Sequence, residues 1–163
     1  MKLNKLTKTI YKLDVGCGRK PHKGYTTIDI EEYAHPDYLG DFRTMSFKEI
    51  EVIRSHHVLE HFTREDGINV LKLWKSWLKT GGTLLIETPD FEYICKDFDK
   101  NPYHMTRHAY GSQEAEWALH KDGWYEAKFV KILTELGFKI ESFKHSHTHS
   151  YQLPNITVIA TKL

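Results

Sequence analysis

The sequence predicts an α/β domain of seven short strands alternating with helices. Three observations carry this. Apolar residues from Ile10 run into the stretch Leu13-Asp14-Val15-Gly16-Cys17-Gly18, which reads as a buried strand meeting two glycines spaced by one residue. A second short run, Tyr25 to Ile30, carries an acid, Asp29, near its end. Beyond it, strand-like runs alternate with stretches of helical periodicity as far as the C-terminal region.

The first two runs set the chemistry. Glycine accepts positive φ and lets a ligand approach without a Cβ in the way. Strand, glycine turn, strand and terminal acid form the layout of a nucleoside-binding α/β site, where the acid bonds ribose hydroxyls. Only 13 positions separate Gly16 from Asp29, against about 20 in the dinucleotide fingerprint. A crossover helix does not fit in that distance, because a parallel crossover usually takes a dozen or more residues. Arg19 to Gly24 is therefore expected to be a loop or a single turn. An NAD-dependent dehydrogenase would need the missing helix to hold a pyrophosphate on its N-terminus.

This stretch resembles motif I of the class I S-adenosylmethionine-dependent methyltransferases, with Asp14 two residues before the first glycine and Asp29 closing the second strand. It is most similar to a compact subgroup with a Gly-x-Gly-x-x-Pro-x-x-Gly loop, often associated with cell-surface glycan biosynthesis, matched by Gly16, Gly18, Pro21 and Gly24. The resemblance implies a Rossmann-like methyltransferase fold. Its sheet would be mostly parallel and seven-stranded, with an antiparallel last strand and a shortened first crossover. It implies S-adenosylmethionine as cofactor, held by Asp14, Gly16, Cys17, Gly18, Asp29, Ile30, Asp41, Ser55, His56 and His57.

The 163 residues suit one domain, taken as 1–163. Hydrophobic residues make up 40%, enough for a core. A net charge of +1 gives no global field to recruit nucleic acid or anionic lipid. No apolar run approaches the ~20 residues of a membrane span, and no signal-peptide core is seen. Two cysteines, Cys17 and Cys95, make no disulfide framework, so a reduced, cytoplasmic setting is expected. Cys17 between glycines reads as a packing residue rather than a nucleophile.

Residues 1–9 are polar and basic, a frayed arm, a lead-in helix or a lid over substrate. After the second strand, Glu31 to Leu39 reads as a loop, and residues 37–41 as a short third strand. In the resembling family an acid here contacts the adenine amino group, which makes Asp41 the candidate. A loop-capping aspartate is the alternative. Ser46 to Ile50 is expected to form one helical turn before the fourth strand, Val52 to Ser55. Past that strand, Ser55-His56-His57-Val58-Leu59-Glu60-His61 resembles the Ser-x-His-Val-Leu-Glu-His segment of the compact subgroup, which puts His57 beside the methionine part of the cofactor. Ligands in open α/β sheets sit at the carboxyl ends of the strands, where these residues fall.

Thr63 opens a helix with Asp66 as a capping-box-like partner. Val70, Leu71, Trp74, Trp77 and Leu78 form its core face, and Gly81-Gly82 is expected to end it. Thr83 to Thr88 is the fifth strand. Residues 91–124 then interrupt the alternation with aromatics and interleaved His104, Arg107, His108 and His120, either a substrate cover or a satellite core. Tyr125 to Leu136 is the last helix, closed by Gly137. Phe138 to Phe143 and Ile156 to Ala160 are the last strands, which the family pairs as a hairpin.

The reaction implied is displacement at a sulfonium methyl, in which proximity and orientation contribute ~7–11 kcal/mol. A hydroxyl acceptor needs a general base, and His57, His120 and then Asp90 are the candidates. Cytosine C5-methylation would need a Pro-Cys nucleophile, and exocyclic adenine methylation an Asn/Asp-Pro-Pro-aromatic run after the fourth strand. Neither is present. A small molecule or a glycan is therefore the expected acceptor, with no nucleic acid and no membrane as partner. No metal is expected. His56 and His57 lack a fitting third ligand, and no Cys or carboxylate spacing supports His145, His147 and His149. The rival readings are a non-catalytic nucleotide-binding regulatory protein of the same fold and a metal-binding accessory domain.

Overall fold

The computed structural model describes residues 10–148 and 150–163. The N-terminal arm and His149 lie outside the described residues. One sheet of seven strands runs through the molecule: β1 (Lys12–Val15), β2 (Thr26–Asp29), β3 (Tyr38–Leu39), β4 (Ile50–His56), β5 (Leu78–Pro89), β6 (Phe138–His147) and β7 (Pro154–Lys162). Their order across the sheet is β3-β2-β1-β4-β5-β7-β6. The first five are mutually parallel, while β7 runs antiparallel to both β5 and β6. The expected mixed sheet with its antiparallel last strand is what forms.

The register positions the site. Val15 pairs with Ile28 on one side and Ser55 on the other. One residue further along each strand come Gly16, Asp29 and His56, which leave the sheet side by side. His56 pairs in turn with Glu87 on β5. Residues 16–25 connect β1 to β2 without a helix, as the short spacing requires.

The helices are α1 (Arg64–Trp77), α2 (Phe91–Lys96), α3 (Pro102–Tyr110) and α4 (Glu126–Glu135). Val70, Leu71, Trp74 and Trp77 are buried on one face of α1, with Phe42 5.7 Å from Trp74 and Phe47 5.0 Å from Trp77, centroid to centroid. Trp124 packs on Phe129 of α4 at 4.9 Å. The Thr63 side chain accepts from the Asp66 N–H and donates its own hydroxyl to Asp66 Oδ2 at 2.8 Å. None of the described helices is long and apolar enough to cross a membrane.

Several local expectations are corrected. The helical turn expected at 46–50 lies instead at Phe42–Thr44, a 3₁₀ turn capped by Asp41, whose Oδ1 accepts the Arg43 N–H. Glu49 stands at φ +56, which is incompatible with a helix there, and Phe47 packs across on Trp77. The 31–39 loop contains a 3₁₀ turn at Glu32–Ala34. Gly81 and Gly82 do not end α1. The helix stops at Trp77, and Leu78 is already extended, paired with Ile50. The register between Ile50 and Val52 shifts there, and a Cβ on Gly82 would come 2.8 Å from Lys79 O and 3.0 Å from Ile50 O. The glycine serves an irregularity in the strand rather than a helix cap.

Candidate functional site

A cavity of about 490 Å³ opens at the carboxyl ends of β1, β2 and β4. Gly16, Gly18, Asp29, Ile30, Asp41, His56 and His57 all line it, so the register brings seven of the ten expected cofactor contacts to one place. The other three stand behind its wall. Asp14 is fully buried, its Oδ2 accepting the His22 N–H at 2.8 Å and its Oδ1 2.6 Å from Arg54 Nη1. It braces the glycine turn from below. Cys17 is buried, and desolvation chiefly, with Asp29 and Asp14, pushes its thiol up to about 11, which fits a packing residue. Ser55 is fully buried within β4.

The glycines differ in purpose. Gly16 stands at φ +68, and a Cβ there would lie 2.1 Å from Val58 Cγ2, so its bareness makes room for protein. Gly18 stands at φ +55 and a Cβ there would meet nothing within 4 Å, so its bareness faces open space. Asp29 holds the turn together. Its Oδ2 accepts the Gly18 N–H at 2.8 Å and its Oδ1 the Glu31 N–H at 2.9 Å. Each oxygen retains a second lone pair for a ligand hydroxyl. Asp41 is a turn cap that also lines the cavity. It grips Arg43, with Nη2 at 2.7 Å from Oδ2. The Arg43 hydrogen bond chiefly holds its carboxyl below the usual range.

His56 and His57 diverge at the end of β4. His56 Nδ1 lies 2.9 Å from Arg54 Nη2, and burial chiefly lowers its pKa. His57 leaves the strand at φ +54. Its Nδ1 is 3.0 Å from Glu60 Oε1 and its Nε2 3.5 Å from Glu87 Oε1. Burial opposes charge on this ring, yet the two carboxylates outweigh it and push it up to about 10. The hydrogen bond from His57 chiefly holds Glu87 down at about 2. Both ring nitrogens face acids, so the ring is set to donate rather than to take a proton. This arrangement does not favour the general-base role expected for His57.

The remaining catalytic candidates are placed elsewhere. Asp90 is buried and fully engaged, capping α2 through the Tyr93 N–H at 3.3 Å and facing His145 Nδ1 at 2.8 Å. It reaches neither the first cavity nor the one beside it. His120 lines a second cavity of about 330 Å³ with His57, His61, His104, Arg107 and Trp117. Trp117, His57 and His61 also border the first cavity, so the two are contiguous. Within the insertion Ile94, Met105 and Ala118 are buried, while Trp117 and the histidines wall the second cavity. His145 has both ring nitrogens facing acids, Asp90 and Glu126.

Sequence reasoning missed Glu60 and Glu87. Glu60 sits in a segment read for its histidines and Glu87 in an ordinary strand run, and only the pairing of β4 with β5 and the turn at Leu59–His61 bring both to His57.

No protein-family model matches the sequence, and no curated protein matches it. Solved structures do match. A SAM-dependent methyltransferase from Methanosarcina mazei superposes with a TM-score of 0.68 at 20% identity, covering 98% of this chain and 95% of that one. Magnesium protoporphyrin IX methyltransferase from Synechocystis, crystallised with S-adenosylhomocysteine, gives 0.64 at 16% identity, covering 94% and 74%. A Burkholderia thailandensis 1,6-didemethyltoxoflavin-N1-methyltransferase, with 1,6-didemethyltoxoflavin and S-adenosylhomocysteine bound, gives 0.64 at 12% identity, covering 93% and 70%. The chain therefore has the Rossmann-like α/β fold of S-adenosylmethionine-dependent methyltransferases.

Proposed function

We propose that this protein is an S-adenosylmethionine-dependent methyltransferase whose acceptor is a small molecule or a glycan rather than nucleic acid. The observation that carries the reading is the cavity at the strand ends, where Gly18 leaves open space beside an Asp29 carboxylate with lone pairs to spare. Asp29 would take the ribose hydroxyls, and Asp41 would face the adenine. Bound there, the cofactor supplies an activated methyl group, and the chain's own residues supply orientation.

Charge separates this reading from a dinucleotide site. Among the described residues the cavity wall carries Asp29, Glu31, Asp41 and Asp66 against Arg43, Lys121 and the His57 ring, of which Arg43 is already paired with Asp41 and His57 with Glu60 and Glu87. A pyrophosphate would meet mostly carboxylates, and no helix N-terminus follows β1 to receive it. A cationic sulfonium ligand meets a complementary wall. The contiguous second cavity, with Trp117, Arg107 and several histidines, offers an acceptor a stacking face and hydrogen-bond partners. That pattern suits a sugar or a small hydroxylated ring.

Calorimetric titration with S-adenosylhomocysteine and with NAD tests the proposal. Saturable binding of the first and none of the second is expected. Binding of NAD alone would overturn it. A cofactor-binding protein that transfers no methyl to any sugar or small hydroxy compound in a broad panel would favour the regulatory reading instead.

A further inference from the structure

Glu60, His61 and His120 meet beside the second cavity. Each offers one ligand atom, and the three atoms lie within 4.8 Å of one another. His61 Nδ1 lies 3.0 Å from Leu119 O, and His120 Nδ1 2.9 Å from His108 O. A carbonyl only accepts, so both Nδ1 atoms carry the proton and both Nε2 atoms keep a lone pair. Metal-bound imidazoles are oriented in this way, by donating the far N–H to a carbonyl or carboxylate. Glu60 is 2% exposed. Its Oε1 takes His57, while its Oε2 is buried without a hydrogen-bond partner among the described residues. A buried carboxylate oxygen left unmatched is costly, and a cation would satisfy it.

The frame around the group is fixed. The Lys121 and Asp122 N–H groups donate to Glu60 O at 2.7 and 3.3 Å, and the His120 N–H donates to Tyr110 O at 3.1 Å. Gly111, at φ +82, lets this segment close in. A Cβ there would stand 2.1 Å from Ala118 O and 3.0 Å from His120 Cδ2.

We propose that Glu60, His61 and His120 form a binding site for a divalent first-row transition ion, zinc above all, with an open position toward the cavity that His61 and His120 line. Two imidazoles and one carboxylate are a known ligand set for zinc with a free fourth position. The nitrogen donors disfavour magnesium and calcium, which take oxygen. Bonds of about 2.0–2.2 Å need the three ligand atoms to draw together, and the cavity gives both rings room to turn inward. The site differs from the His56 and His57 pair and from the β6 histidines weighed as ligands from sequence.

The test uses tag-free protein stripped of metal, without cofactor or acceptor, so its outcome is independent of methyl transfer. Zinc chloride is titrated calorimetrically, and Co²⁺ binding is followed by its visible ligand-field absorption. About one equivalent of zinc is expected, displacing Co²⁺. His61→Ala and His120→Ala should each weaken binding by more than the ~10–100-fold that loss of an outer partner costs, and His145→Ala should change nothing. Nitrogen NMR of the wild-type imidazoles gives a readout that needs no variant. Zinc should shift the Nε2 signals of two rings that keep Nδ1 protonated. No saturable zinc binding to the wild type would overturn the proposal. So would full affinity in a folded His61→Ala or His120→Ala protein, or loss of binding in His145→Ala.

Discussion

Asp29 and Gly18 are joined by a hydrogen bond of 2.8 Å, from the glycine N–H to Oδ2. The acid that closes β2 thus holds the turn that leaves β1, eleven residues earlier. Its other oxygen fixes Glu31. Ligand contact and loop geometry reside in one carboxylate.

Asp29→Ala should weaken S-adenosylhomocysteine binding by at least tenfold. Charge-assisted hydrogen bonds contribute about 1.5–3 kcal/mol each, and the turn itself loosens when the Gly18 and Glu31 N–H groups lose their acceptor. Asp29→Asn keeps one acceptor oxygen and should fall between. Calorimetry on the folded variants decides it, and an unchanged dissociation constant sinks the assignment.

Gly16→Ala and Gly18→Ala should separate stability from binding. Alanine at Gly16 meets Val58 at 2.1 Å as well as a positive φ, so a loss of about 1–3 kcal/mol is expected in urea unfolding. Adding Val58→Ala should recover part of it, because the clash is with that side chain. Alanine at Gly18 meets no protein atom within 4 Å and should cost about 1–2 kcal/mol from backbone alone, yet it places a methyl in ligand space. Equal ligand affinity in folded Gly18→Ala and wild type would remove Gly18 from the binding wall.

These glycines also show what a sequence can disclose. The turn, the acid and the short crossover were legible because each is a local spacing along the chain. That Gly16 yields to Val58, or that Asp14 is matched by Arg54 forty positions away, was not, because strand register makes those contacts. The 3₁₀ turn at 42–44, capped by Asp41, took the place of the expected turn at 46–50, where Glu49 leaves the helical region. His120 reached the site only through the pinning of its loop to Glu60 and Tyr110.

The Asp14–Arg54 pair leads to a third expectation. Asp14 is fully buried, and its partner Arg54 is 15% exposed. Arg54→Met would strand a carboxylate under the turn and should cost about 3–5 kcal/mol. Asp14→Asn in the same chain should return part of this, because asparagine still offers an oxygen to the His22 N–H while removing the charge. Chemical denaturation of the three variants tests it. A double variant no more stable than Arg54→Met alone would show that the pair is not the source of the loss.

His57 should matter for turnover as well as for stability. Its N–H donates to Glu87 O at 2.9 Å, its ring lies between the Glu60 and Glu87 carboxylates, and it borders both cavities. A left-handed conformation at a non-glycine residue is a sign of functional constraint. The ring is 39% exposed, but alanine there leaves the Glu60 carboxylate, 2% exposed, without its partner, so His57→Ala should cost about 3–5 kcal/mol, and turnover is compared between folded proteins. Turnover should fall about 10²-fold, as when a group that positions reactants is lost, while S-adenosylhomocysteine affinity changes little. His57→Asn, which tolerates the left-handed backbone and keeps a donor, should retain more activity than alanine. A panel of sugars and small hydroxy compounds provides the assay. Wild-type turnover in the folded fraction of both His57→Ala and His56→Ala would make His57 a purely structural residue of the turn into α1. Wild-type turnover in His57→Ala with none in His56→Ala would move the role to the neighbouring ring, which Arg54 holds at 2.9 Å.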